Sequence, residues 1–213
     1  MNENRIKRNK MLGEKIIAGL NSRNMAGYYA ESKEEALAKA LELIPEGSSI
    51  AWGGTMSVGE IGLKEAVCQG NYQVYNRDAA ATPEEKRKIE LITYDCDFFL
   101  TSANAITEDG VIVNIDNTGN RVAAISFGPD KVFLVIGANK VTEDYDSALF
   151  RARNVAAPKN AKRLNRKTPC ALTGDKCYDC KSPERICRNL SVLWNRPTGI
   201  EYHVVLINEE LGY

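Results

Sequence analysis

The chain reads as an α/β domain whose largely parallel sheet is covered by helices on both faces, and three observations lead there. Short apolar runs of strand length, such as Asp97–Thr101 and Lys131–Ile136, are separated by longer segments of helical period. Three capping boxes, Ser32/Glu35, Ser57/Glu60 and Thr82/Glu85, mark helix starts between those runs. Strand and helix then alternate, which implies βαβ units and crossovers that place helices on both faces.

The elements follow in order. Residues 4–24 form a helix with Leu12, Ile16, Ile17 and Leu20 on one face, and Ala26–Ala30 is a short strand. Ser32 opens a helix running to Ile44, ended by Pro45 and Gly47. Ser48–Trp52 is a strand, Gly53–Met56 a loop, and Ser57 starts a helix to about Gln69. Gln73–Tyr75 is a strand, and Pro83 begins a further helix at its first position. After the buried strand 97–101, residues Val111–Ile115 and Arg121–Phe127 read as a β-hairpin around Asn117–Asn120, which makes the sheet mixed. Lys131–Ile136 is a buried strand, Thr142 begins a long helix carrying Tyr145, Leu149, Ala152 and Val155, and His203–Ile207 is the last strand. A composition shift near residue 165 divides the chain into an N-terminal helix (1–24), an α/β domain (25–164), a cysteine-rich insert (165–195) and a returning strand segment (196–213).

A chain of 213 residues, 44% hydrophobic and 26% charged, suits one core-forming domain with a small appendage. Twenty-eight Lys plus Arg balance 28 Asp plus Glu, so no surplus of cations points to nucleic acid. The basic runs Arg5–Arg8 and Lys162–Lys167 read as solvated helix faces or ends. No run approaches the roughly eighteen apolar residues of a membrane span, and MNENRIKRNKMLGEK lacks a signal peptide's apolar segment. The expected compartment is the cytoplasm, where six cysteines are thiols or metal ligands rather than structural disulfides.

The loop Gly53-Gly54-Thr55-Met56-Ser57 lies between a strand and a helix start. Two glycines let backbone approach a ligand, free N–H groups favour a phosphate or carboxylate, and Thr55 and Ser57 offer hydroxyls. The same residues also suit a tight turn with nothing bound, since they match neither the dinucleotide fingerprint nor the Walker pattern. A second polar stretch, Thr101 to Gly110, follows a buried strand, where ligands sit in open α/β sheets. It offers Thr101, Ser102, Asn104 and Thr107, then Asn114 beyond. Glu108 or Asp109 can serve as a general base, although Glu-Asp-Gly is equally a hairpin turn with solvated carboxylates.

The run TSANAITEDGVIVNIDNTGNRVAAISFGPDKVFLVIGANKV resembles the signature of the lactate-utilization (LUD) domain family. AWGGTMSVGEIGL and the ending Glu209-Glu210-Leu211-Gly212-Tyr213 resemble its small clostridial-type members, so the likeness covers nearly the whole chain. It implies a Rossmann-like three-layer fold shared with sugar-phosphate isomerases and CoA transferases. The pocket would lie between the glycine loop and the segment after the buried strand, at Gly53, Gly54, Thr55, Asn104, Glu108, Gly110 and Asn114. The resemblance also implies a place beside iron–sulfur partners in a system oxidising lactate to pyruvate, while many members have no settled activity and a shared fold does not fix chemistry.

Cys170, Cys177, Cys180 and Cys187 follow a C-x6-C-x2-C-x6-C pattern. Four thiolates so close suit one zinc or an iron–sulfur cluster, with disulfides, redox-active thiols and inert thiols as the competing readings. Cys68 and Cys96 have apolar neighbours and read as core, Trp52 and Trp194 as core or pocket wall, and His203, the single histidine, as a strand-face residue. Three functional classes fit these features: a catalytic protein or enzyme-system subunit binding a small anionic metabolite, a metal-carrying accessory protein, and a ligand-sensing subunit. A homo-oligomer through the N-terminal amphipathic helix is a further expectation.

Overall fold

The computed structural model describes residues 3–213, with side chains from residue 7 onward. The start of the Arg5–Arg8 basic run therefore lies outside the described side chains, and Lys7, Arg8 and Lys10 are exposed. Helix α1 (Glu3–Ser22) leads into β1 (Ala26–Ala30), α2 (Lys33–Leu43), β2 (Ser49–Trp52), the short helices α3 (Ser57–Glu60) and α4 (Leu63–Gln69), and β3 (Gln73–Tyr75). Then come α5 (Pro83–Ile92), β4 (Phe98–Thr101), β5 (Ala105–Thr107), β6 (Ile112–Asp116), α6 (Asn120–Ser126), β7 (Lys131–Gly137) and β8 (Val141–Thr142). The chain ends with α7 (Tyr145–Arg151), a π-helical stretch (Ala152–Ala156), α8 (Ala157–Arg163), α9 (Pro169–Thr173), β9 (Asn189–Leu193) and β10 (Glu201–Ile207).

Six strands form a parallel sheet in the order β3-β2-β4-β7-β10-β1. Its central strands bury both faces. On β7, Val132, Leu134 and Ile136 face a core shared with Ile16 and Leu20 of α1 and Ile125 of α6. Phe133 and Val135 face a second core with Ala36 and Ala40 of α2 and Val58, Leu63 and Val67 of α3 and α4. Period-two alternation into two helical layers is the three-layer Rossmann-like arrangement. Among the described residues, antiparallel pairing occurs only in a smaller sheet, β8-β5-β6-β9, which contributes Ile106, Ile112 and Leu193 to the α1-side core.

Several local expectations need correction. Residues 111–127 do not pair with themselves. Ile112–Asp116 is a strand, but its partners are β5 and β9, and Asn120–Ser126 is helical. Gly119, at φ +87°, supplies the left-handed turn before that helix, and Asp116 caps it by accepting from the Arg121 and Val122 amides at 3.1 and 3.2 Å. The helix expected from Ser57 to Gln69 breaks at Gly62 (φ +78°). Its capping box does not form, because Met56 occupies the cap position and Ser57 is already helical. At Ser32 and Thr82 the hydroxyl half of the box forms, each oxygen accepting from the amide three residues on, while Glu35 and Glu85 accept from the amides of Glu31 and Ala81, one residue before the cap. Cys96 is buried as expected, whereas Cys68 and Trp194 are exposed. His203 lies on β10, stacked between Tyr28 and Phe133. Among the described residues no helix is long and apolar enough to cross a membrane.

The expected N-terminal helix lies flat on its own sheet. A Cβ on Gly19 would sit 2.5 Å from the Asp109 backbone and one on Gly110 would sit 2.7 Å from Gly19, so both glycines permit α1 to touch the β5–β6 turn. Close approach of two backbones needs this absence of Cβ.

Candidate functional site

From β2 the chain moves outward to β3, then returns past β2 to β4 and continues the other way. The carboxyl ends of β2 and β4 flank this reversal, the place where open α/β sheets present ligand crevices. Strands β2, β4 and β7 are neighbours, and each delivers one polar side chain just past its end: Ser57, Ser102 and Lys140.

These three side chains meet. Lys140 Nζ donates to Ser57 Oγ and to Ser102 Oγ, each at 2.9 Å, and the two hydroxyl oxygens lie 3.3 Å apart. Ser102 Oγ also donates to the Val135 carbonyl at 2.6 Å. Ser57 is fully buried, and Lys140 is 3% exposed. Burial pushes the Lys140 amine down to about 7, and the positive charges of Arg151 and Arg121 push the same way against the opposing carboxylate of Glu60.

Two buried arginines border this group. Arg121, from α6, donates to the Ser102 carbonyl (3.1 Å), Asn114 Oδ1 (2.5 Å), the Ile115 carbonyl (2.8 Å) and Asn104 Oδ1 (3.3 Å). Asn104 and Asn114 bind each other's strands as well: the Asn104 amide donates to Asn114 Oδ1 and the Ile115 amide to Asn104 Oδ1. Arg151 donates to the Asn139 carbonyl at 2.8 Å and also to the Asn104 carbonyl. Burial lowers the pKa of both guanidinium groups. Every acceptor named here is neutral, and none of Lys140, Arg121 and Arg151 makes an ion pair among the described residues.

The expected site residues divide into two sets. Gly53, Ser57, Asn104 and Asn114 belong to this neighbourhood. A Cβ on Gly53 would come within 3.0 Å of the Arg121 stem and of the Phe99 ring, so glycine is what lets Arg121 reach inward. Gly54 is exposed with nothing within 4 Å of where a Cβ would stand. Thr55 Oγ1 faces the Val58 amide at 3.5 Å, and Thr101, fully buried at the end of β4, donates weakly to the Ser102 carbonyl at 3.4 Å. Glu108, Asp109 and Gly110 form the turn between β5 and β6 at α1. Glu108 pairs with Lys15 at 2.5 Å, and Asp109 with Arg23 and with Thr107 Oγ1. The Thr107 hydroxyl and then Arg23 hold the Asp109 carboxyl below its ordinary range.

A strap covers the serines and the lysine. The Leu211 amide donates to Asn139 Oδ1 (3.0 Å) and the Gly212 amide to Glu60 (2.9 Å), and a Cβ on Gly212 would stand 3.0 Å from Ser57 Oγ and 3.4 Å from Lys140 Nζ. Beside Gly53 and Arg121 the free space is about 10 Å³, room for a single water at most. A larger, open depression of about 370 Å³ lies elsewhere, along Asp146, Leu149, Phe150, Arg153, Asn154 and Cys177.

The four clustered cysteines are half-buried free thiols. Cys177 Sγ lies 3.8 Å from an Arg153 nitrogen, Cys170 Sγ 3.3 Å from Thr168 Oγ1, and burial pushes the Cys187 thiol up. Among the described residues no three His, Cys, Asp or Glu side chains converge to hold a metal. The donor chemistry suits zinc or an iron–sulfur cluster, but the loop as folded does not gather the donors.

Sequence reasoning missed Lys140, Arg121 and Arg151. Lys140 carried one signal, its place just past a seven-residue apolar strand on the edge where ligands bind. Arg121 falls in a segment that reads as a hairpin strand, and Arg151 looks like any helix-surface cation.

Among curated proteins none matches the chain. Among solved structures, a DUF162 family protein from Deinococcus radiodurans is similar, with a TM-score of 0.54 at 13% identity over 93% of this chain and 97% of that one, which speaks to fold alone. The LUD domain family model matches residues 13–207, which takes in the α/β core, both serines, Lys140 and the cysteine loop, and the chain therefore belongs to the LUD domain family.

Proposed function

We propose that the chain binds a small anionic metabolite, a carboxylate or a phosphorylated compound, at the carboxyl ends of β2 and β4, between Gly53–Ser57 and the Ser102–Asn114 segment. The observation that carries this reading is a pair of buried arginines, Arg121 and Arg151, beside the buried amine of Lys140, without a carboxylate paired to any of them among the described residues. Buried positive charge is costly unless an opposite charge neutralises it, and an incoming anion does so. Most of the Arg121 donors and two Arg151 nitrogens already meet neutral acceptors, so the main part of the arginines is to supply field rather than direct contacts. The direct donors are the exposed backbone at Gly54 and the Thr55 hydroxyl. The small free volume means that the strap at Gly212 or the glycine loop must open for entry.

Family membership supports a lactate-utilization-related role, and on that basis the metabolite would be a hydroxy or keto acid handled beside redox subunits. Calorimetric titration with lactate, pyruvate, inorganic phosphate and a sugar phosphate tests this. Gly54→Val should abolish the binding seen and leave the melting temperature unchanged, because there is open space for the new side chain. Absence of binding across the panel, or binding that survives the substitution, overturns the reading.

The cysteine loop supports a second role. The four thiols lie on one short stretch, and all four are free and half-buried. Zinc or an iron–sulfur cluster would bind there only with rearrangement of residues 170–187, making the chain a metal-carrying accessory subunit.

A further inference from the structure

Ser57, Ser102 and Lys140 invite a chemical question that anion binding does not answer. Lysine and two hydroxyls are drawn from three separate strand ends and buried within hydrogen-bonding distance of one another, with no carboxylate paired to the amine among the described residues. Ser102 has a single hydroxyl proton, and the Val135 carbonyl at 2.6 Å is its nearest acceptor. Its oxygen is then left to accept a Lys140 N–H, which orients the amine. A neutral amine so held has one lone pair free, and the nearest remaining hydroxyl proton is that of Ser57, 2.9 Å away. This arrangement makes Ser57 Oγ nucleophilic, as an adjacent general base does wherever a serine carries out covalent catalysis.

We propose that Ser57 is an acyl-accepting nucleophile, with Lys140 as its general base and Ser102 as the positioning residue, acting on an ester or thioester of a small acid. The inference rests on the anion-binding reading only for the acid's second, anionic group. Ser57 Oγ forms a bond to the acyl carbon as its proton passes to Lys140 Nζ. Collapse of the tetrahedral adduct breaks the bond to the alcohol or thiol, which leaves with the proton from Lys140. Water then attacks the acyl-serine, gives one proton to Lys140 and returns Ser57 to its hydroxyl form as the carboxylic acid departs. The sum is ester plus water to acid plus alcohol or thiol, with no change in oxidation state. A lysine amine held near neutrality is matched to such work at physiological pH.

The strap bears on when this happens. Residues 211–212 lie over Ser57, so the nucleophile is reachable only when the Gly212–Glu60 and Leu211–Asn139 hydrogen bonds part. Substrate entry therefore requires strap displacement, and loosening the strap should raise reactivity.

Labelling of the full-length protein by a fluorophosphonate ester, followed by peptide mass spectrometry, tests the proposal. The expected product is one phosphonyl group per chain on Ser57, with a labelling rate that climbs as pH rises through about 7. Ser57→Ala and Lys140→Met should reduce it at least tenfold, and Ser102→Ala should slow it while shifting its pH profile, which a purely structural hydroxyl would not do. Glu60→Ala, which frees the Gly212 amide, should speed labelling several-fold. Circular dichroism on each variant separates loss of reactivity from loss of fold. No Ser57 adduct in either native or Glu60→Ala protein overturns the proposal, as does a Ser57 labelling rate indifferent to Lys140→Met in folded protein. Binding of lactate or phosphate without labelling would leave the anion site standing and remove the nucleophile, so the two readings fail separately.

Discussion

Replacing Lys140 by methionine should change how stability depends on pH. The Lys140 amine is depressed from 10.5 to about 7 in the folded chain, chiefly by burial, so in the intervening window the unfolded chain holds one proton more than the folded one. Stability must then rise with pH across that window, at up to about 1.4 kcal/mol per pH unit for one group. From about pH 7 to about pH 9 the gain from this residue alone is on the order of 2 kcal/mol, and below about pH 7, where both states are charged, the full cost of roughly 4–5 kcal/mol is present. The methionine side chain carries no charge and has a similar shape, and it forgoes two hydrogen bonds to hydroxyls worth about 1 kcal/mol each. The variant should therefore be more stable than the native protein near pH 6 by a few kcal/mol and lose that advantage near pH 9. Urea titrations of both proteins at several pH values, compared as differences, isolate the effect from other groups. Parallel pH profiles for the two proteins would refute the reasoning, because they would mean that the native lysine is not held depressed.

Gly19→Ala should cost about 2–4 kcal/mol, since its Cβ would stand 2.5 Å from the Asp109 backbone. Gly47→Ala, at φ +83° with nothing within 4 Å, should cost only about 1 kcal/mol, and thermal melts of the two check the contrast. Protein purified without oxygen and analysed for metal tests the cysteine loop: close to one zinc or one iron–sulfur cluster per chain is expected, lost in Cys180→Ser with the parallel sheet intact. Four freely alkylatable thiols and no metal in protein from iron- and zinc-supplied cells would refute it.

The layers were legible because they rest on local chemistry. Val132 to Ile136 alternate between two cores, Ser32 and Thr82 cap the helices their sequence announces, and Pro83 begins α5 where its missing N–H costs nothing. The failures share a cause in long-range pairing. Val111–Ile115 is apolar and strand-like, but its partners at Ala105–Thr107 and Asn189–Leu193 cannot be read from its own pattern, and the following segment was forced to complete a hairpin that Gly119 instead turns into a helix. Ser57 looked like a cap because Glu60 stands three residues on. Its hydroxyl answers Lys140, 83 residues away, and Glu60 holds the strap instead. The glycine loop pointed to the right crevice edge, but the charges that give it character come from α6, the β7 end and α7, each ordinary in local sequence.

The position of β1 has a consequence for how this protein comes off the ribosome. It lies at the edge of the parallel sheet and pairs there with β10, with Ala26 opposite His203 and Ala30 opposite Ile207. Strand β1 precedes its partner in the chain, so it has no edge to join until residues 201–207 have been synthesised. During that interval Ile16, Leu20 and Met25, which end fully buried, lack the part of their core that Tyr202, Val204 and Leu206 of β10 supply. Contacts between residues so far apart in sequence are slow to form and leave apolar surface open to other chains. A pause or premature stop before residue 201 would thus strand α1 and β1 together, with the rest of the sheet already folded and an unpaired β7 edge exposed. Agents that shield nascent apolar helices should matter most for α1 and β1, until β10 has been made.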